Sequence, residues 1–560
     1  MSNVGLGDRP RRWPAALRWP VDHLWPVAHP RPVARLWSVA ALCLALCACK
    51  VGPDFKAPPP PDVHSYSAPG DAPPPTDERI TLGAQIEGDW WAQFHSEKLN
   101  DLIKQALDGN QDIAAAKARV AQAQEEVTAA HAALLPSLTL GTTVGRQKYG
   151  KSLFGPLDFQ IPPFTYYTVG PALNAPLDLF GANKRALEES QASMDYHKDE
   201  LTAAYLSLSA NVVAEALAAA SAHAQLGVVQ DIIADDQRNV TLVQTALDAG
   251  QATRTQLLSA QTQLATDKTL LPGLRQEEST ARHALSILVG KLPGEWSAPE
   301  LTLSDFVLPG EIAASVPSEL VRRRPDILAA EAQLHGASAA IGVATANLYP
   351  NITLSGTLTQ QALTPGGLFQ GAAAAWSIAA NLTAPLYDAG RLRAERRAAV
   401  DGYRAALADY REVILRSFGE VADGLQALTN DAELFNSETA AAQTAADSRD
   451  LARRSYSVGN SGIIDVLDAE RATAQAQLGV SRAQAQRLAD TARLYMALGG
   501  SPAPTTTPMP TTSAMPTTAP APTTSATPTT APTATTPPLP TKAAARPTPA
   551  SEPASTPPAP

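Results

Sequence analysis

The chain of 560 residues is poor in the residue types that usually carry chemistry. It has three cysteines, and all of them lie at its N-terminal end, at Cys43, Cys47 and Cys49. Its nine histidines show no metal-ligand spacing, and neither H-E-x-x-H nor G-x-S-x-G occurs. The net charge of −10 argues against general nucleic-acid binding. We therefore expect no catalytic residues, no cofactor, no metal site and no nucleic-acid partner.

One phosphate-binding pattern is present and has to be weighed. Residues 145–152 read G-x-x-x-x-G-K-S, which is the spacing of a P-loop. A P-loop needs a helix directly after its Lys-Ser pair, so that backbone N–H groups and the helix dipole face the phosphate. The next residues, 153–163, contain Pro156, Pro162 and Pro163 and cannot form that helix. We interpret the stretch as a loop between strands.

The cysteines end a stretch that is typical of a secretory signal. Six arginines between residues 9 and 35 precede the apolar run 36–46. This run is too short to span a membrane, and no later apolar run reaches the roughly 18 residues that a span needs. The run ends Leu46-Cys47-Ala48-Cys49, which resembles a bacterial lipobox, so Cys49 is the expected lipidation site. An ordinary secretion signal with incidental cysteines is the alternative.

Proline and glycine are nearly absent from residues 182–247, which contain no proline and one glycine. We predict a helix about 100 Å long there. A second long helix should follow the reversal at residues 248–251 and end near Gly290. Adjacent acids in predicted helices, such as Glu125-Glu126 in the helix predicted at 99–134 and Asp235-Asp236 in the helix at 182–247, are interpreted as solvated faces. The helix predicted at 182–247 carries the seven-residue spacing of a coiled coil, at Tyr205, Val212, Ala219, Leu226, Ile233, Val240 and Leu247.

The same pattern of elements occurs twice. Segment 133–140 recurs at 347–354 with an offset of 214 residues, and Gly250 maps on Gly459 with an offset of 209. Each half should therefore contain a helix, two strands, a long helix, a reversal and another long helix. The predicted strands are Leu138–Val144, Tyr166–Leu179, Ile352–Gln360 and Ala374–Leu386.

Four amphipathic strands cannot close a barrel alone, because a sheet edge that faces lipid leaves its backbone groups unpaired. A bacterial barrel needs at least about eight strands, and three copies of this chain would supply twelve. Two possibilities follow from the residues: an oligomer in the cell envelope, which the signal and the lipobox favour, or a small soluble sheet.

The chain is expected to divide into six segments. These are a lipoprotein signal peptide (1–48), a lipidated extended arm (49–87), a first structural repeat (88–292), a Pro-rich linker (293–316), a second repeat (317–500) and a Pro/Thr-rich tail (501–560). The tail has too little apolar surface to fold. Trp90-Trp91, at the start of the first repeat, is interpreted as packing rather than as a binding site.

Together these features resemble the TolC superfamily, and most nearly the outer-membrane factors of RND-type drug efflux systems, the NodT-like lipoproteins. The resemblance covers residues 49–500. The residues that carry it are the lipobox, Lys50-Val-Gly-Pro-Asp-Phe55, Gly88-Asp-Trp-Trp91, two Ala-x-Leu-x-Pro strand entries, two Ala-Pro-Leu strand ends and the Tyr-Ser-Val-Gly…Asp-Val-Leu-Asp stretch at 456–468.

The resemblance implies an α+β membrane protein. It would be a homotrimer whose TolC-like outer-membrane β-barrel, with four strands per protomer and twelve in the trimer, continues into a long periplasmic α-helical barrel. It would act as a passive exit duct, anchored in outer-membrane lipids, with a periplasmic adaptor (membrane fusion) protein and an inner-membrane RND-type pump as partners. The alternatives are the exit duct of a type I protein secretion system and a structural coiled-coil lipoprotein without a pore.

The stretch 456–468 is the candidate site. Gly459 and Gly462 interrupt the helical pattern and predict a tight reversal. Asp465 and Asp468 follow on one face of the next helix, since residues three apart are neighbours on a helix surface. Their plain interpretation is helix capping and solvation, because the helix dipole favours acids near a helix N-terminus.

The resemblance adds a sharper hypothesis for this stretch. It implies that Asp465 and Asp468 ring the closed periplasmic mouth in the trimer, that Ile464 is an apolar constricting residue, and that the Tyr456 hydroxyl helps to hold the mouth shut. An ion pair that holds the mouth shut in some relatives aligns with Ser461 and Gln256 here. That ion pair is therefore absent, and a different contact must replace it.

Overall fold

The computed structural model describes residues 50–63, 65–66, 69–71, 79–83, 88–150, 161–314 and 316–500. The predicted signal peptide, Cys49, the end of the P-loop-like stretch and the Pro/Thr-rich tail lie outside the described residues. The helices are α1 Glu97–Gly109, α2 Gln111–Ala132, α3 Ala182–Asp248, α4 Arg254–Lys268, α5 Leu270–Leu288, α6 Pro317–Arg323, α7 Pro325–Ala346, α8 Arg391–Ser457 and α9 Ile463–Ala497. The strands are β1 Arg79–Leu82, β2 Ser137–Gln147, β3 Phe164–Leu177, β4 Glu311–Ala314, β5 Asn351–Ala362 and β6 Ala374–Thr383.

Strands β2, β3, β5 and β6 form one antiparallel sheet in that order. One face is apolar and exposed across the sheet, with Leu140 on β2, Leu358 on β5 and Trp376 on β6 at 76%, 56% and 75% exposure. The other face is polar, and Thr357 and Ser377 hydrogen-bond across it at 2.7 Å. The four predicted strands lie where the sequence placed them, with ends that differ by up to three residues. Their 10 to 14 residues are long enough to cross a bilayer when tilted.

The helices repeat with the two offsets seen in the sequence. Helices α3 and α8 each have 67 residues, and α8 begins and ends 209 residues after α3. Helices α2 and α7 each have 22 residues, 214 apart. At about 1.5 Å per residue the two long helices are each about 100 Å long, as predicted.

The second long helix of the first half was predicted wrongly. The structure has two helices there, since α4 ends at Lys268 and α5 begins at Leu270. Pro272 explains the break, because it has no N–H to donate and its ring clashes with the carbonyl four residues earlier. A short parallel pair of strands, β1 and β4, was also missed. Four-residue strands are too short to show a periodic pattern.

The largest hydrophobic core joins the 3-10 helix Trp90–Phe94 to α1, α3, α5 and α9. Trp90 is fully buried and stacks on Tyr495 with ring centroids 5.7 Å apart. Burial of a large side chain contributes roughly 1.5–3 kcal/mol, so Trp90 helps to fix the start of the first repeat against the last helix. This agrees with the interpretation of Trp90-Trp91 as packing residues.

A buried arginine holds the segment that follows Cys49. Arg185, near the start of α3, is fully buried. Its Nε donates to the Val51 carbonyl at 3.1 Å, and its Nη2 donates to the Gly52 carbonyl at 3.2 Å and to Asp54 at 2.9 Å. A guanidinium presents several donors in a fixed plane, so these contacts fix the path of the backbone at residues 51–54. The N-terminal end of the described chain is therefore tied to the junction of the sheet and the long helices.

Two described helices, α3 and α7, contain an 18-residue window that is apolar enough to cross a membrane. This differs from the expectation that no such stretch follows the signal. The window in α3 is 56% buried and that in α7 39% buried within the protein. Alanine-rich helices that pack against neighbouring helices reach the same mean hydropathy without an unbroken apolar run. The two windows are therefore weak evidence for membrane spans.

Candidate functional site at the hairpin tips

The long helices form two hairpins. The first hairpin is α3 with α4, and the second hairpin is α8 with α9. Gly250 and Gly459 occupy the two reversals with φ of +73° and +77°, in the left-handed region that L side chains rarely adopt. In the second hairpin the Gly459 N–H donates to the Tyr456 carbonyl at 3.0 Å, and α9 begins at Ile463. The predicted reversal at 459–462 is confirmed.

Three of the candidate gate residues share the exposed surface of this tip. Ile464 is 50% exposed, the Asp468 side chain is 65% exposed, and Asp465 is also exposed. Asp465 caps α9, since its Oδ2 accepts the Gly462 N–H at 3.0 Å. Asp468 lies 3.7 Å from Arg471 on the same helix. The plain interpretation, capping and solvation, is therefore confirmed for the single chain.

Tyr456 lies on the other side of the tip, where the two hairpins meet. It packs against a cluster that joins both hairpins, with Val243 of α3 fully buried and Leu257 of α4 and Val466 of α9 nearly so. This cluster holds the two tips together within one protomer. The structure thus places Tyr456 at the contact between the hairpins, and the two aspartates and Ile464 away from it.

The two positions of the absent ion pair have local roles. The Gln256 side chain accepts the Thr253 N–H at 2.7 Å and so caps α4. Gln256 lies 209 residues before Asp465, which does the same for α9. Ser461 has a buried hydroxyl without a hydrogen-bond partner. Neither side chain contacts the opposite hairpin through a hydrogen bond or ion pair in the described structure.

Sequence reasoning missed the polar contact that does join the hairpins. Arg453 on α8 donates to Glu470 on α9 at 2.7 and 2.8 Å, and to Asp235 on α3 at 3.2 Å. Asn239 on α3 also hydrogen-bonds Glu470. Glu470 is only 9% exposed, so these bonds compensate the burial of its charge. A signal was available only for the bond within the second hairpin, since Arg453 and Glu470 lie at similar distances from the reversal on its two arms. The bonds to Asp235 and Asn239 on the first hairpin had no such signal.

The interpretation of Asp235 and Asp236 as a solvated pair is half wrong. Asp235 is partly exposed, but Asp236 is only 6% exposed. Neighbouring positions on a helix point about 100° apart, so one of two adjacent residues can face solvent while the other faces the helix packed beside it. Glu125 and Glu126, by contrast, are both exposed as expected.

The fold and the tip define a class of protein. A sheet with one exposed apolar face is suited to lipid, and its two outer strands, β2 and β6, have no second strand neighbour in the described part of the chain. Long paired helices lead from this sheet to tips that expose Asp465 and Asp468. This combination is that of a membrane channel protomer with a long helical extension.

Comparisons with known proteins identify the family within this class. Residues 102–291 and 316–500 match the family "Outer membrane efflux protein". The chain is 31% identical over 476 residues to nodulation protein T of Rhizobium leguminosarum bv. viciae, covering 83% of this chain and 94% of the relative. It is 28% identical over 468 residues to outer membrane protein OprJ of Pseudomonas aeruginosa, covering 83% and 96%.

Solved structures agree with these sequence relatives. The outer-membrane channel OprN superposes with a TM-score of 0.74 at 28% identity, over 81% of this chain and 99% of that structure. The MtrE outer membrane channel of Neisseria gonorrhoeae, in its open state, superposes with a TM-score of 0.71 at 26% identity, over 81% and 99%. The chain belongs to the outer membrane efflux protein family. It is an outer-membrane efflux channel with a TolC-like fold, as the sequence resemblance implied.

Proposed function

We propose that three copies of this chain close a twelve-stranded barrel in the outer membrane. The observation that carries the proposal is the sheet, whose apolar face is exposed and whose strands β2 and β6 each lack a neighbour on one side among the described residues. Unpaired backbone groups are not tolerated in lipid, so the edges must pair with other copies. Twelve strands exceed the minimum of about eight for a bacterial barrel, whereas the four strands of one chain do not reach it.

The closed trimer forms the exit duct of a tripartite efflux system. An inner-membrane RND-type pump supplies the energy, a periplasmic adaptor that docks on the helix tips couples the pump to the duct, and the duct itself passes cargo without chemistry. Relatives support this assignment, since one is a toluene efflux pump outer membrane protein of Pseudomonas putida and another a pyoverdine export outer membrane protein. The cargoes in the names of these relatives differ, so we propose small molecules as the cargo class. A neighbouring gene for an ABC transporter instead of a pump would favour the type I secretion alternative.

The chain is lipidated at Cys49 and divides as the sequence predicts, with an acyl anchor at the start of the arm 49–87 and two repeats at 88–292 and 317–500. The Arg185 contacts support this by holding residues 51–54 beside the sheet, where an anchor would enter the lipid. Replacement of Cys49 by Ser should abolish palmitate labelling. Labelling that persists in Cys49→Ser would refute the assignment.

The second hairpin forms the closed periplasmic mouth. Three copies of Asp465 and Asp468 supply six carboxylates around the axis, with Ile464 beside them as the apolar constriction and Tyr456 packed behind them. Two charges about 6 Å apart repel by roughly 0.7 kcal/mol in water, and by more in a narrow pore of lower dielectric. Such a ring concentrates cations, so the closed mouth should prefer cations over anions. The exposure of the Ile464, Asp465 and Asp468 side chains supports their place at the pore.

The mouth is tested by single-channel recording in planar bilayers. The double variant Asp465→Asn/Asp468→Asn removes the charges but keeps an oxygen at 465 to cap α9. We expect it to lose block by added divalent cations and to conduct at least about twofold more than the wild type. The matched control is Gln256→Glu, which adds charge at the equivalent capping position of the first hairpin and should leave cation block unchanged. Unchanged block in the double variant would refute the ring.

A further inference from the structure

Each hairpin contains a pair of carboxyl groups between its two arms. In the first hairpin Asp236 of α3 and Asp267 of α4 line the same groove and interact, and in the second hairpin Asp431 of α8 interacts with Asp490 of α9. Asp236 and Asp431 are only 6% and 8% exposed. The Oδ2 atom of each is buried and accepts no hydrogen bond. Buried hydrogen-bond acceptors almost always have a donor in native proteins, so each of these two oxygens needs a hydrogen-bond partner or a proton.

The internal duplication does not account for the two pairs. The position 209 residues after Asp236 is Ala445, and the position 209 residues before Asp431 is Ala222. Each hairpin therefore carries its own acid pair at its own height. Asp236 lies 14 residues before Gly250, about 21 Å from the reversal along the helix. The pair that contains Asp236 is therefore nearer to its hairpin tip than the pair that contains Asp431.

The Asp236 side chain points into a groove of about 180 Å³ between the two hairpins. The basic side chains there have other partners: Arg453 bonds Glu470, and Arg471 bonds Gln263 at 2.8 Å. The charged groups that face the groove or its rim are Asp231 and Asp235 on α3, Asp267 on α4, Arg449 and Arg453 on α8, and Glu470 and Arg471 on α9.

A metal ion does not explain the unsatisfied oxygen. No group of three or more His, Cys, Asp or Glu side chains among the described residues has the arrangement to hold one. A proton does explain it, because a protonated carboxyl group donates a hydrogen bond to an ionised partner. Burial, the hydrogen bond to Asp267 and the negative charges of Asp267 and Glu470 raise the pKa of Asp236 to about 7, against the opposing charge of Arg471.

We propose that Asp236 and Asp267 share one proton, and that this bond is a pH-sensitive lock between the two arms of the first hairpin. With the proton present, one carboxyl donates to the other and α4 is held on α3. Without it, two negative charges face each other in a buried groove, and repulsion and desolvation favour separation of the arms. Two carboxyl groups that share a site cannot both ionise at ordinary cost, so the pair titrates as one unit.

The direction of the pH dependence follows from the raised pKa. The packed hairpin favours the protonated form more than the opened hairpin does. The stabilisation is therefore complete below about pH 4 and is lost as pH rises through about 7. The lock belongs to the hairpin itself and does not depend on the proposed ring of Asp465 and Asp468.

Hydrogen–deuterium exchange of α4, measured by mass spectrometry on the full chain in detergent, tests the lock. After correction for intrinsic exchange, local opening of wild-type α4 should rise about thirtyfold from pH 5.5 to pH 8.5 for a pKa that moves between about 7 and its ordinary value. Asp236→Asn places an N–H donor opposite Asp267 at every pH, so α4 should stay protected at both. Asp236→Ala removes both the donor and the repulsion, so the protection of α4 should no longer depend on pH and should lie between the two wild-type values.

Glu126→Gln is the matched control, since Glu126 is an exposed helical acid and its loss should leave the pH dependence of α4 intact. Equal protection of wild-type α4 at the two pH values would overturn the proposal. So would an Asp236→Asn variant that keeps the wild-type pH dependence. The readout needs no conducting channel, so a failed lock and a failed acidic mouth give different results.

Discussion

The two hairpins of this chain are built to the same plan and differ at a few side chains. Their first arms have the same length of 67 residues, and their reversals use glycine with nearly the same φ. They differ in the return arm, which breaks before Leu270 in the first hairpin and runs unbroken for 35 residues in the second. They differ also at the tip, where only the second hairpin exposes two aspartates.

The capping position shows most clearly what has changed between the halves. Gln256 and Asp465 occupy equivalent positions, and both return a side-chain oxygen to the N–H three residues earlier. Either residue therefore starts its helix, and only Asp465 adds charge. The structural need is common to both halves, while the charge is particular to the second. This separates a role in folding from the role that we propose at the mouth.

The largest expected effect concerns the contact that joins the unlike hairpins. Arg453→Met keeps the side-chain length but removes the bond to Asp235 on the first hairpin, and within the second hairpin it leaves Glu470, which is 9% exposed, without its charged partner. Hydrogen bonds to charged groups contribute about 1.5–3 kcal/mol, so the separation of the hairpins should become roughly tenfold to a hundredfold easier. Leak through the closed channel, recorded in planar bilayers, should rise accordingly.

Arg238→Met is the control for that experiment. Arg238 is 74% exposed and pairs with Asp235 three residues earlier on the same helix, so its loss should change leak little. If Arg453→Met conducts like the wild type, Arg453 does not hold the hairpins together and the polar contact across them is incidental.

The next largest effect tests whether the reversal of the second hairpin requires glycine at position 459, as its positive φ indicates. Gly459→Ala forces an L side chain into the left-handed region and should destabilise the tip by about 1–2 kcal/mol. Gly462→Ala is the matched control, because Gly462 has φ of −83° and an added Cβ would meet only ordinary contacts. Thermal unfolding should show a lower midpoint for Gly459→Ala than for Gly462→Ala. Equal midpoints would mean that the reversal tolerates another conformation.

The smallest effect concerns the broken return arm. Pro272→Ala restores an N–H that can donate to the carbonyl of residue 268. Helices α4 and α5 should then form one continuous return arm, as α9 does in the second hairpin. Because Pro272 lies in the first turn of α5, where proline is tolerated, the gain should be about 1 kcal/mol or less. Slower amide exchange at residues 268–273 would reveal the joined helix. Unchanged exchange there would show that something other than Pro272 breaks the arm.

The sequence predicted the elements that carry long periodic patterns. The absence of proline over residues 182–247 located α3 to within a residue of its end, and alternating residues located four strands. Pro272 was visible in the sequence but was not used. The parallel pair β1–β4 could not be predicted, because each strand has four residues and their partners are 232 positions apart, at Arg79 and Glu311.

The tip was predicted in part, for a physical reason. Gly459, Asp465 and Asp468 act through local chain geometry, and the sequence therefore placed them correctly. Arg453, Glu470 and Asp236 depend on which helix faces lie together, and that follows only from packing. The burial of Asp236 beside an exposed Asp235 is the clearest case, since the two residues look alike in the sequence.

The central claim is that this chain, whose larger described sheet has four strands and two open edges, is one third of a closed channel. Native mass spectrometry of the protein released from detergent tests it most directly. We predict a dominant species of three copies, each carrying the mass of the mature chain with its acyl anchor. A dominant monomer or dimer under conditions that preserve the fold would contradict the twelve-stranded barrel, and with it the acidic ring at the mouth.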